Sequence, residues 1–213
     1  MGANYALWRA TCILIHMQYL SRHQQLKDVL NIVFFVIAVI VGAWLINLTL
    51  FRSFDVSGPS METTLYTGDR LIVNRVPVTF SAIQNKDYLP SRGHVIVFKN
   101  PNFVPGGRDE YIVKRVIGLP GERVVVSNGK VTVYNSENTE GFNPYDDVNI
   151  EQTSVSGNVD RTVPEGDIFV IGDNRSADYS LDSRNGLGTI PLFDIIGPVA
   201  IRIFPFTKVS TDF

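Results

Sequence analysis

The sequence predicts a mainly β domain tethered to a membrane by one N-terminal helix. Three observations predict it. Val29 to Leu50 is a run of 22 residues without a charged side chain. The chain beyond it consists of short β-branched and aromatic runs, bounded by Gly, Pro and Asp. No long segment of 3.6-residue periodicity and no internal repeat follows residue 52.

Composition limits the possibilities. The 213 residues suffice for one medium domain plus an anchor. Charged residues make up only 19%, with 17 Gly and 11 Pro, which fits a folded, turn-rich domain and not a disordered one. A net charge of −2 leaves no electrostatic footprint for nucleic acid. The single cysteine, Cys12, allows no disulfide within the chain and no thiol nucleophile in the main domain.

The apolar run comes first. At 1.5 Å per residue it spans roughly 30 Å, the thickness of the hydrocarbon core. It is too long for a typical cleavable signal peptide, and no small-x-small site follows at once. A buried core helix is the alternative, but the run has no polar face. Arg22 and Lys27 precede it, with Asp28 beside them, whereas Arg52 and Arg70 after it are balanced by Asp55, Glu62 and Asp69. That asymmetry favours a cytoplasmic N-terminus and an extracytoplasmic main domain. Residues 5–20 form a shorter apolar stretch containing Arg9 and His16. An additional span there would leave the main domain on the same side.

The strands follow. Leu71 to Val76, His94 to Phe98 and Ile168 to Ile171 read as strands. Arg123 to Val126 and Val131 to Tyr134 read as a hairpin, because Asn128-Gly129 supplies both positive-φ positions of a type I′ turn. Ile201 to Phe204 reads as a closing strand before Pro205, and the polar stretch Asn135 to Asp160 as a mobile insertion or cap.

Elimination narrows the chemistry. Of three histidines, only His94 follows the anchor, and it reads as an ordinary residue at a strand start. No zinc-spaced cluster or H-E-x-x-H motif occurs. What remains is serine with lysine. Ser60 lies just past the anchor, in Val56-Ser57-Gly58-Pro59-Ser60-Met61-Glu62-Thr63-Thr64-Leu65. A serine hydroxyl needs a base to take its proton. A lysine serves only when neutral, which requires depressing its pKa from about 10.4 by roughly 3 units. Burial among apolar side chains works in that direction. Lys114, within Tyr111 to Leu119, has β-branched neighbours; the alternative is a solvated lysine on an edge strand. If Lys114 faces a site, Arg115 does not, since successive strand residues point to opposite faces. The block from Gly172 to Gly186 reads either as an Asx-rich loop or as a loop packed on the site. In the second case a hydroxyl would orient the lysine amine, and Asp182 with Arg184 would hold the loop.

With these blocks in order behind an apolar segment, the chain resembles the type I bacterial signal peptidases. The blocks are Ser60-Met61, then Lys114-Arg115-Val116-Ile117-Gly118-Leu119-Pro120-Gly121, then Gly172-Asp173-Asn174-Arg175 leading to Ser180-Leu181-Asp182-Ser183-Arg184. The similarity covers most of residues 30–206. The short cap and the sequence after Arg184 are closer to Gram-positive members.

The resemblance implies a coiled antiparallel β-sheet core with a small cap insertion. The implied organisation is a cytoplasmic segment 1–28, a transmembrane anchor 29–50 and an extracytoplasmic catalytic domain 51–213, with the cap at about 123–165. It implies Ser60 as nucleophile, Lys114 as general base, Ser180 positioning the lysine, and Asp182, Arg184 and Asp173 in support. Phe54, Val56, Met61, Leu65 and Val113 would line shallow pockets for small substrate residues. The implied partners are preprotein signal peptides, the lipid bilayer and the secretion translocon, with no nucleic acid, cofactor or metal.

The chain departs from the family pattern in four places. Gly58 replaces a hydroxyl residue that assists the oxyanion in some members. Thr63 stands where proline is usual, and Gly93-His94 where Gly-Asp is usual. The spacing from Arg175 to Ser180 is two residues longer, which leaves Ser176 and Ser183 as alternative hydroxyls. Self-cleaving repressor proteases share the core fold, but this chain has an anchor and no DNA-binding module. A catalytically silent, tethered β-domain is the reading from a different class.

Overall fold

The computed structural model describes residues 24–107, 110–146, 154–175, 180–211 and 213; the expectations for residues 5–20, Arg22 and Ser176 lie outside them. The chain divides into two units between Asn47 and Leu48. Helix α1 spans Gln24–Thr49, and its stretch Gln25–Ile46 is long and apolar enough to cross a membrane. No part of that stretch is buried against other elements, unlike a helix in a soluble core.

The second unit is mainly β. In chain order its strands are β1 (Phe51–Asp55), β2 (Arg70–Asn74), β3 (Val95–Lys99), β4 (Tyr111–Gly118), β5 (Arg123–Ser127), β6 (Lys130–Tyr134), β7 (Val159–Thr162), β8 (Asp167–Ile171), β9 (Ile190–Pro191) and β10 (Ile195–Phe204). All ladders are antiparallel. One sheet has the order β1-β2-β10-β3-β4-β8-β9, and a smaller one the order β6-β5-β7.

The larger sheet is strongly curled. β1 and β4 lie four places apart in its order, which would separate them by about 19 Å in a flat sheet. Yet the rings of Phe54 in β1 and Tyr111 in β4 have centroids only 5.2 Å apart. The Arg52 guanidinium stacks against both, at 4.9 and 4.5 Å from the ring centres. The expected coiled antiparallel core is therefore present. β10 contributes to the bend: it pairs with β3 through its first half and β2 through its second, with register shifts in both ladders.

The hairpin expected at Asn128-Gly129 forms, with Ser127 opposite Lys130 and positive φ at both turn residues. Apolar faces then pack in layers. Val124, Val126, Val131 and Val133 of the small sheet cover Ile117 of β4 and Phe169 and Ile171 of β8. Val56, Met61, Leu65, Leu71 and Val97 form a second cluster inside the curl.

One expectation fails. The strand read as Leu71 to Val76 stops at Asn74, and a short helix, α2 (Val76–Ile83), begins. The Asn74 side-chain oxygen accepts the Val76 N–H at 3.0 Å, and Pro77 has no N–H for a ladder. With only eight residues, α2 gave too little periodicity to register as a helix.

Candidate active site

Lys114 and Ser60 meet. The lysine Nζ lies 2.7 Å from Ser60 Oγ and 2.9 Å from the carbonyl oxygen of Val113. They are 54 residues apart in sequence. Lys114 is only 3% exposed, which answers the edge-strand alternative: this is a buried strand lysine.

The surrounding elements explain the placement. Ser60 lies in a turn continuing from β1, and Met61 and Leu65 plug the turn into the core beneath. Thr64 and Leu65 donate their N–H groups to the Met61 carbonyl, which closes the turn. Two contacts fix the turn from the other side. The Asn174 N–H donates to the Ser60 carbonyl at 3.1 Å, and the Asn174 side-chain amide donates to the Pro59 carbonyl at 3.1 Å. Among the described residues no acceptor engages the Ser60 N–H.

Arg115 points away from Lys114, as strand alternation requires. Its Nε and Nη2 donate to Asp173 at 2.9 and 2.6 Å, and its Nη1 to the Gly93 carbonyl. Thr64 also donates its hydroxyl to Asp173 at 2.6 Å. Asp173 thus joins the turn after Ser60 to the strand that carries Lys114. Sequence reasoning left Arg115, Thr64 and Asn174 without roles. The signal available was their position inside the recognised blocks.

Ser180 donates its hydroxyl to Asp182 at 2.7 Å, which leaves its oxygen lone pairs free to accept. Asp182 also accepts from the Gly172 N–H and from the Arg184 backbone and guanidinium, at 2.7 to 3.1 Å. Burial raises the Asp182 pKa, but Arg184, Ser180 and the Gly172 N–H together outweigh it, and the pKa falls below the ordinary value of 3.8. Gly172 brings the parts together. A Cβ there would lie under 3.0 Å from both the Ser60 carbonyl oxygen and Ser180 Oγ. The alternative hydroxyl of Ser183 is occupied elsewhere, accepting the Val170 N–H at 2.9 Å.

Arg175 extends this network toward the small sheet. Its guanidinium lies 4.0 Å from the centre of the Tyr145 ring, and burial pushes the Tyr145 hydroxyl up to about 12.

A cleft of about 660 Å³ opens over the pair. Phe54, Val56 and Val113 line it, as do Leu71 and Val97, which sequence reasoning missed. Met61 and Leu65 lie in the packed cluster instead, at 1% and 0% exposure. β4 pairs with β8 only from Arg115 onward, so among the described residues Tyr111 to Val113 have no ladder partner on that side. β1 is the edge of its sheet. The cleft therefore runs between two stretches of backbone available for hydrogen bonding. Among the described residues no group of three or more His, Cys, Asp or Glu side chains could hold a metal ion.

Residues 27–204 match the family described as signal peptidase, peptidase S26. The chain belongs to that family. Its curated relatives include signal peptidase I P of Bacillus subtilis subsp. natto, 34% identical over 176 residues, covering 81% of this chain and 87% of the relative. Signal peptidase I of Bacillus amyloliquefaciens is 33% identical over 180 residues, covering 82% and 87% respectively. A crystal structure of a signal peptidase I from Enterococcus faecalis V583 matches at 28% identity and a TM-score of 0.33, covering 52% of this chain and 96% of that one. The assignment rests on the sequence matches. Membership makes the chain a serine endopeptidase of the signal peptidase I kind.

Proposed function

We propose that this chain is a membrane-anchored endopeptidase that removes N-terminal signal peptides from exported preproteins, cutting after a small-x-small motif. The observation that carries the reading is the 2.7 Å contact between Lys114 Nζ and Ser60 Oγ at the end of an open cleft.

The chemistry follows from the two side chains. Lys114 in its neutral form takes the proton of Ser60 as Oγ attacks the scissile carbonyl carbon. The tetrahedral oxyanion is held by the Ser60 N–H, because Gly58 has no hydroxyl to add. As the C–N bond breaks, Lys114 returns the proton to the leaving amine and an ester to Ser60 remains. Water then attacks the ester, Lys114 takes its proton, and Ser60 is restored. Burial of Lys114 supports this scheme, since desolvation disfavours the ammonium form. Ser180 is assigned the task of orienting the amine by accepting its N–H.

The substrate is an extended strand laid between the segment preceding Ser60 and the side of Tyr111 to Val113 that faces away from β3. Phe54, Val56 and Val113 form its walls, and the buried Met61 and Leu65 limit the depth. Such a groove admits small side chains at the first and third positions before the cut and rejects bulky ones by overlap. The flanking charges favour a cytoplasmic N-terminus, with residues 51–213 outside to meet exported chains that emerge from the secretion translocon.

The test uses the full chain in lipid vesicles with a preprotein carrying Ala at both small positions. The expected result is one cut, lost in Ser60→Ala and lost when either Ala becomes Trp. Cutting that persists in Ser60→Ala, or is indifferent to Trp, overturns the reading.

A further inference from the structure

We propose that Asn174 is a positioning residue for the oxyanion: by holding the Pro59 carbonyl, its side chain aims the Ser60 N–H at the substrate carbonyl oxygen. This rests on the reading of Ser60 as nucleophile above.

One peptide unit carries both the Pro59 carbonyl and the Ser60 N–H. It is trans, so the two groups point in opposite directions across one rigid plane. Whatever fixes one fixes the other. The Pro59 ring sets φ but leaves ψ free, and rotation about ψ swings the whole plane.

Among the described residues two donors hold that carbonyl. The Glu62 N–H reaches it at 3.1 Å from within the turn, and the Asn174 side-chain amide at 3.1 Å from the loop after β8. The Glu62 bond is local and moves with the turn. The Asn174 bond comes from 115 residues away and ties the plane to a different part of the fold. The Asn174 backbone N–H meanwhile donates to the Ser60 carbonyl at 3.1 Å, so one residue pins the peptide planes on both sides of the Ser60 Cα. Gly58, Pro59 and Ser60 line the cleft, and Asn174 is not among the described residues that do. It therefore acts on the donor through the peptide, from the side away from the Ser60 N–H.

The chemistry gives this placement its weight. Gly58 has no hydroxyl to share the oxyanion, so the developing charge falls on the backbone N–H. A hydrogen bond weakens steeply as its donor turns off line. A donor on the carbonyl also polarises the peptide, which makes the N–H at its other end a stronger donor. The partner of a carbonyl must itself donate, which an amide does and an ionised carboxylate of the same shape does not.

The experiment compares the full chain in detergent with its Asn174→Ala, Asn174→Asp and Asn174→Gln variants. All three keep the backbone N–H and its bond to Ser60, and only Gln keeps a side-chain donor. Two probes share one peptide with Ala at both small positions. The first ends in an aldehyde: Ser60 Oγ adds to its carbonyl carbon, the π pair moves to oxygen, and the serine proton passes to Lys114. The second ends in the matching alcohol, which fills the groove without reacting. In Asn174→Ala, kcat and aldehyde affinity should fall together, on the order of 10- to 100-fold. Asn174→Asp should fall at least as far, and Asn174→Gln should recover part of the loss. Alcohol affinity should stay within about twofold, and the low-pH limb of the rate profile should not move, because Lys114 is untouched. The ratio of the two affinities counts only folded protein, so a less stable variant is still judged. Unchanged kcat and aldehyde affinity in the Ala and Asp variants overturn the inference. So do equal losses on both probes, which would mean a damaged groove, and a shifted low-pH limb, which would put the effect on Lys114. If Ser60→Ala binds the aldehyde as tightly as the unsubstituted chain does, the Ser60 reading falls and takes this inference with it. If it does not, that reading stands whatever the Asn174 variants show.

Discussion

Arg115 and Asp173 form a two-pronged ion pair inside the protein, with Nε to Oδ1 at 2.9 Å and Nη2 to Oδ2 at 2.6 Å. The arginine follows Lys114 in β4, and the aspartate also accepts the hydroxyl of Thr64, four residues after Ser60. The pair is thus the brace between the two halves of the proposed dyad. Removing one partner leaves the other charge buried, a loss of about 3–5 kcal/mol. Asp173→Ala should therefore lower the unfolding midpoint in detergent sharply and reduce activity with it. Thr64→Val should lose only about 1 kcal/mol, because it removes one hydrogen bond.

Gly172 is the point of closest approach between the Ser60 turn and the Ser180 loop. In Gly172→Ala the new methyl meets the Ser60 carbonyl and the Ser180 hydroxyl, so one of them must shift. A displacement of about 1 Å at reacting groups is enough for a loss on the order of 100-fold. Steady-state kinetics should show that loss mainly in kcat, with KM nearly unchanged.

The Asp182 carboxylate gives a pH dependence of stability. Its pKa in the folded protein lies below 3.8, since the effect of burial is outweighed by Arg184, Ser180 and the Gly172 N–H together. A lowered folded value means its contribution is complete above 3.8 and is lost as pH falls through the folded value. Thermal melts between pH 7 and pH 3 should fall more steeply below pH 4 for the wild type than for Asp182→Asn. Parallel curves would remove Asp182 from the account.

Ser180 shares its proton with Asp182 and keeps lone pairs for an amine. Ser180→Ala should lower kcat on the order of 10- to 100-fold and move the low-pH limb of the profile, where activity rises as the general base loses its proton. Ser180→Thr, which retains the hydroxyl, should recover part of the rate. An unchanged pH profile in Ser180→Ala would reduce the residue to a structural role.

Local chemistry was readable in the sequence, and long-range contacts were not. Asn128-Gly129 announced its hairpin because both turn residues tolerate positive φ, a property of two adjacent residues. Val29 to Leu50 announced a long apolar helix through composition alone. Strand alternation separated Lys114 from Arg115, but nothing in the chain order said that Arg115 would find Asp173, 58 residues away. The blocks around Ser60, Lys114 and Ser180 were legible as blocks. Their closure onto one another depends on the curl of the sheet, visible only once Phe54 meets Tyr111. Helix α2 escaped notice because its valines and phenylalanine also suit a strand, and a side-chain bond from Asn74 decided the matter.

The central claim is that Ser60 and Lys114 act as one unit. Two groups acting as a unit lose activity together, not additively. The direct measurement is single-turnover cleavage of a preprotein in vesicles by Ser60→Ala, Lys114→Ala and the double variant, each shown to be folded by its melting transition. The account predicts that either single change slows the cut at least about 1,000-fold and that the double variant is no slower. A Lys114→Ala enzyme that keeps a tenth of the wild-type rate or more would contradict it.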